Sequence, residues 1–178
     1  MPNACFGGTM SFIRAKKIKE HFYAYLVENS WKKKKQGSRQ KVKAYLGRII
    51  SLAPKETTPF TESLETKKFT EAVKSVIRWQ LNAYGFIPKE EKLISQDNII
   101  VDFQQKTVKQ NNANVALKIN EGYLCSYTLH RLFEFEAEGY EEEVGLQLAE
   151  VIVGAGLKVE KQLFVQLFEK IYKQTGAG

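Results

Sequence analysis

From residue 11 to residue 50 apolar and polar positions alternate with period two. SFIRAKKI sets Ile13 and Ala15 against Arg14 and Lys16. HFYAYLVEN sets Phe22, Ala24 and Leu26 against Tyr23, Tyr25 and Val27. SRQKVKAYLGRI sets Val42, Ala44 and Leu46 against Arg39, Lys41, Lys43 and Tyr45. A side chain that changes sides at every residue belongs to a strand, and β-branched and aromatic residues fill all three runs. The polar link 17–20 is short, and the link 33–38 carries Gly37, as a hairpin loop does. The pattern therefore predicts a three-stranded antiparallel meander.

Residues 51–65 carry Pro54, Pro59 and several Ser/Thr, which marks a linker. Apolar positions then recur at spacings of three and four through Phe69, Val73, Val76, Ile77, Leu81 and Tyr84. This is an amphipathic helix, with Thr66 or Thr70 as its cap and Gly85 and Pro88 at its end. NIIVDF, KTVKQ and NVALKI between 92 and 119 predict a small second sheet with turns such as QNNAN. NEGY at 120–123 reads as a further turn, with Gly122 supplying conformational freedom. From Tyr123 onward helical spacing returns in YTLHRLFEFEAE, EEEVGLQLAEVIVGAG and VEKQLFVQLFEKIYK. The expected fold class is α+β, divided into a lead-in (1–10), a β module (11–50), a linker (51–65) and an α/β domain (66–174). The final GAG reads as an unstructured tail.

Charge changes this picture more than composition does. The 178 residues are 43% hydrophobic and 26% charged, ordinary for a globular chain. The net charge of +7, however, is concentrated: residues 10–48 hold 12 Lys/Arg against Glu20 and Glu28, so the remainder is net acidic. Such asymmetry points to a polyanionic partner. The start, MPNACFGGTM, lacks the basic and apolar regions of a secretory signal. No apolar run approaches the length of a membrane span, so no membrane partner is expected. Cys5 and Cys125 are distant and outside any C-x-x-C spacing, which fits a reducing cytoplasm and an unpaired, structural Cys125.

Strict alternation would place Arg14, Lys16, Tyr23, Tyr25, Arg39, Lys41, Lys43 and Tyr45 on one face of the meander. Ile13, Ala15, Phe22, Ala24, Leu26, Val42, Ala44 and Leu46 would then lie on the other, covering a core. A sheet can carry cations into a groove of duplex DNA. Aromatic rings on such a face can instead stack on unpaired bases. Trp31, Lys32, Lys33, Lys34, Lys35 and Arg48 extend the same basic surface through the hairpin loop and the end of the third strand. A solvated outer face carries Lys, Arg and Tyr too, but does not require the near-exclusion of acids.

The stretches FIRAKK, YAYLVEN, RQKV and YLGRI resemble, in order, the N-terminal segment of DDE-type insertion-sequence transposases. The resemblance spans residues 11–49 and implies a small β-rich module that serves DNA binding. Beyond it the chain departs from that family. The C-terminal part, including NEGYLCSYTLHRLFEFE, resembles uncharacterised archaeal proteins, which adds no activity.

No P-loop, G-x-G-x-x-G or G-x-S-x-G pattern occurs, and His21 and His130 form no metal-binding pair. No catalytic residue, metal or cofactor is expected. The expectation is a non-enzymatic nucleic-acid-binding protein, with DNA favoured over RNA and the C-terminal helices offering a homodimer surface. The alternative in another class is a ribosome- or RNA-associated interaction factor. A lower one is a metal-dependent nuclease using Asp97, Asp102 and Glu121. The acids Glu134, Glu136, Glu138, Glu141, Glu142 and Glu143 either favour the start of the next helix or mask the basic module.

Overall fold

The computed structural model describes residues 10–32 and 37–174, with side chains over residues 11–29 and 40–172. Residues 1–9 of the expected lead-in, the loop residues Lys33, Lys34, Lys35 and Gln36, and residues 175–178 with the terminal GAG lie outside the described residues, while Met10 already belongs to the first strand. The meander forms as expected: β1 (Met10–Ile18), β2 (His21–Lys32) and β3 (Gly37–Ser51) are antiparallel neighbours. Lys19 takes a left-handed φ of 53° in the turn between the first two.

The chain crosses residues 52–68 without a regular element and enters the helix α1 (Phe69–Asn82). Lys68 stands at its N-cap, and neither Thr66 nor Thr70 caps it. Residues 52–68 are nonetheless tied to the body. Leu64 is buried, Trp79 Nε1 donates to Thr58 O at 2.7 Å, and Phe60 meets the Trp79 ring edge-on at 5.5 Å.

The second run of strands is a meander of short members. These are β4 (Ile87–Lys89), β5 (Lys92–Ile94), β6 (Ile99–Asp102), β7 (Thr107–Gln110) and β8 (Ala113–Ile119), followed by β9 (Gly122–Leu124). Asn111 and Asn112 both take positive φ, as the two central residues of a tight hairpin require. At 120–123 it is Asn120, with φ 46°, that adopts the left-handed conformation. Gly122 serves close approach instead: a Cβ there would lie 2.2 Å from Val153 O. The helices α2 (Ser126–Phe133), α3 (Glu141–Gly154) and α4 (Lys161–Gln174) complete the α+β fold.

The two meanders join into one nine-stranded sheet of order β1-β2-β3-β8-β7-β6-β5-β4, with β9 also on β8. The join is parallel and short: Arg48–Ser51 of β3 runs beside Val115–Lys118 of β8. The main core lies on the C-terminal side of that join. The apolar stripe of α1 (Phe69, Val73, Val76, Ile77, Leu81) meets Leu93, Val101, Val108 and Leu117 from the strands and Leu129, Leu148 and Leu167 from the later helices. Burial on this scale, at roughly 1.5–3 kcal/mol per large apolar side chain, stabilises the body.

The N-terminal meander contributes little to it. Ala24 forms a small separate cluster with Ala116 and Cys125, against which Ile13, Leu46, Ile49, Tyr123 and Tyr127 pack. Ala15 and Ala44 are exposed, and Phe22 is 49% exposed. The expected core-covering face is therefore buried only around Ala24, where Ala116, Tyr123, Cys125 and Tyr127 of the body reach the meander.

Candidate nucleic-acid interface

Two β-bulges decide which side chains share a face. Between the pairs Leu26–Ala44 and Val27–Val42, β3 carries one extra residue, Lys43. Between Ala24–Gly47 and Tyr25–Tyr45 it carries another, Leu46. Each extra residue reverses the alternation of everything beyond it relative to β2. The expected row Arg39, Lys41, Lys43, Tyr45 is thereby broken. Tyr45 stays opposite Tyr25, whereas Lys41 falls opposite Glu28 and Arg39 opposite Ser30, positions of the other face. Past the second bulge, Arg48 arrives opposite Tyr23.

The resulting platform has two cross-strand rows. Arg14, Tyr25 and Tyr45 form one; Lys16, Tyr23 and Arg48 form the next. Arg14 Nη1 donates to Gln40 Oε1 at 2.7 Å, which holds the guanidinium along the sheet. Arg48 Nη2 lies 3.1 Å from His21 Nδ1. The three phenol rings converge, with Tyr45 5.5 Å from Tyr25 and 6.3 Å from Tyr23 between centroids. Burial, and then the neighbouring Tyr23 and Tyr25, push the Tyr45 hydroxyl above its ordinary pKa, so it remains a neutral donor at physiological pH.

The opposite face is electrostatically different. Lys43 Nζ pairs with Glu28 Oε2 at 3.1 Å, and Lys17 sits 5.8 Å from the centre of the Phe22 ring. Trp31, Lys32 and Arg39 lie on the hairpin end of β2 and β3, and their side chains, like all of Lys33–Lys35, are outside the described residues. The platform thus unites Arg14, Lys16, Tyr23, Tyr25, Tyr45 and Arg48, and leaves Lys41 and Lys43 on the reverse. In the sequence His21 has no role beyond excluding a metal pair; its nearness to Arg48 follows from the pairing that sets Arg48 opposite Tyr23.

Among the described residues, five cations of the body are paired with acids. Lys74 meets Glu71 at 2.9 Å and Glu91 at 2.8 Å, Arg78 meets Glu91 at 3.5 Å and Lys92 meets Asp102 at 3.3 Å. Lys67 pairs with Glu62, and Lys106 with Glu134. In the meander, Arg14, Lys16, Lys17, Lys19, Lys41 and Arg48 have no carboxylate within ion-pair distance among the described residues.

The carboxylates proposed for a metal do not come together: among the described residues no group of three His, Cys, Asp or Glu could hold an ion. Asp102 is buried, accepting from Gln105 N at 2.8 Å and pairing with Lys92. In the acidic stretch, Glu134 binds Lys106 and faces His130, while Glu143 Oε2 accepts from Tyr140 N at 3.1 Å at the start of α3. Those two acids therefore act locally. No described helix is long and apolar enough to cross a membrane. Compared with protein-family models, curated proteins and solved structures, the chain gives no match.

Proposed function

We propose that this protein binds nucleic acid, DNA in the first instance, through the platform of Arg14, Lys16, Tyr23, Tyr25, Tyr45 and Arg48, with the cations on phosphates. The observation that carries the reading is the concentration of uncompensated cations on one face of the meander. Residues 10–48 hold 12 Lys/Arg against Glu20 and Glu28, and on the platform Arg14, Lys16 and Arg48 are exposed with no carboxylate within ion-pair distance among the described residues. Concentrating uncompensated like charge costs self-repulsion, which a polyanion relieves. The platform also carries hydrogen-bond donors beyond its charges, in its phenol hydroxyls. A reducing, cytoplasmic setting fits the buried, unpaired Cys125.

The test is anisotropy of labelled duplex DNA and structured RNA over a salt series. Each phosphate contact contributes about 0.9 to the slope of log K against log salt on duplex, so Arg14→Gln/Lys16→Gln/Arg48→Gln should flatten it by about 2.7. A folded triple variant that keeps the wild-type slope overturns the proposal. Preference for the RNA in direct competition would move the ligand from DNA to RNA on the same platform.

A further inference from the structure

Phosphate contact explains the cations of the platform but not its centre. There, three phenol rings lie together, Tyr23 and Tyr25 on the middle strand and Tyr45 at the β3 end of its row, and Arg14, Lys16 and Arg48 stand at the other three ends. The planes of Tyr25 and Tyr45 meet at 53°, and those of Tyr23 and Tyr45 at 42°. At such angles no two rings stack flat on one another, so they do not consume each other's faces. Tyr45, between the other two, is 53% exposed. An exposed ring on a strand is ordinary; one held between two further rings and bordered by Arg14, Lys16 and Arg48 is a surface with a chemical preference.

That preference is for flat, apolar, hydrogen-bonding rings attached to anions. A duplex offers its phosphates and base edges while its base faces are stacked internally, so tyrosine faces find no partner there. Unpaired nucleotides offer both faces and phosphates at once. The bulges reinforce the point. They turn Lys41 and Lys43 to the reverse side, where Lys43 meets Glu28, and so thin the cation row that a duplex backbone would use.

We infer that the ligand of the platform is a single-stranded segment of nucleic acid, with bases stacking on Tyr45 and its neighbours Tyr23 and Tyr25 while Arg14, Lys16 and Arg48 hold the flanking phosphates. The inference rests on the nucleic-acid reading and narrows it to the unpaired strand.

The experiment compares a short oligothymidylate with an abasic deoxyribose-phosphate oligomer of equal length, and with a duplex, on the full chain. Charge is the same in the two single strands and only the bases differ. Stacking is worth about 5- to 150-fold per base, so the oligothymidylate should bind at least about 5-fold tighter than the abasic strand. Tyr45→Phe should keep that ratio and Tyr45→Ala should lose most of it, each checked for fold by circular dichroism. The comparison in the unmodified chain stands even if the alanine variant fails to fold. Equal binding of thymidylate and abasic strands overturns the stacking inference while leaving phosphate binding intact. Binding of none of the three probes overturns the nucleic-acid reading itself, and the inference with it.

Discussion

Gly47→Ala tests the geometry on which the platform stands. Gly47 follows the Leu46 bulge and precedes Arg48, the first residue of β3 to pair with β8. Its φ is +125°, a conformation that L side chains rarely adopt, and a Cβ would lie 2.3 Å from Asn114 O and 2.8 Å from Val115 Cα. Both obstacles are backbone atoms, so no rotamer change can relieve them. The strained backbone alone costs about 1–3 kcal/mol. Separating the strands at the Arg48–Val115 pair adds about 1 kcal/mol for each hydrogen bond lost. A total of about 3 kcal/mol lowers Tm by about 6–12 °C in a chain of this size. The control is Gly154→Ala at the end of α3, where an added Cβ meets nothing within 4 Å. It should be neutral or stabilising by up to about 1 kcal/mol. Urea denaturation measures both. If Gly47→Ala unfolds within about 0.5 kcal/mol of wild type, as an ordinary surface change does, the close approach of β3 to β8 is refuted.

Two further outcomes follow from the body. Burial pushes the Cys125 thiol above its ordinary pKa, against smaller opposing hydrogen bonds from Thr128. In a Cys5→Ser background Ellman's reagent should therefore fail to label native protein and label it fully in urea; fast native labelling would contradict the buried cluster with Ala24. Glu91 is held below the usual carboxylate range chiefly by the hydrogen bond from Lys74, assisted by the charges of Lys74 and Arg78. Because its folded pKa is depressed, its contribution is present above the unfolded value of about 4.3 and is lost as pH falls through the folded value. Glu91→Gln should remove about 0.2–1 kcal/mol at neutral pH, as a surface pair with a solvent-screened carboxylate does, and nothing at pH values where the carboxyl is protonated. Identical stability of the two proteins across the acid range would show that the pair contributes nothing.

The elements that were legible in the sequence are those whose pattern is local. Period two in 11–50 and the three-to-four spacing of Phe69, Val73, Val76, Ile77 and Leu81 depend only on near neighbours, and both elements formed. The fate of residues 52–68 was not local. Pro54 and Pro59 do exclude regular structure, but whether Leu64 and Phe60 are solvated depends on Trp79, which lies beyond the segment itself. The union of the two meanders was equally hidden, since a parallel pairing between Arg48–Ser51 and Val115–Lys118 leaves no signature in either strand alone. The turn NEGY accounts for Gly122 by its conformational freedom, yet its requirement comes from Val153 O on another element.

The expected row Arg39, Lys41, Lys43, Tyr45 breaks for the same reason, and its outcome depends on two single residues. In a regular strand Arg39, Lys41 and Lys43 would follow Tyr45 along one face, and Arg48 would stand on the other. Lys43 and Leu46, each inserted without a partner in β2, exchange these positions: Arg48 enters the tyrosine face and Lys41 leaves it. A bulge is a property of the pairing, so a pattern read along one strand cannot contain it. The consequence is chemical. The unbulged face would be a dense strip of cations suited to a duplex backbone. The bulged one is a ring cluster with a cation at three of its edges, and the lysine released to the reverse side meets Glu28. Deleting Lys43 removes the extra residue but leaves Val42 opposite Val27 and Lys41 opposite Glu28. It should not restore the cation strip, and the preference for single strand over duplex, measured by anisotropy, should be unchanged. A shift toward duplex would refute this account of the faces.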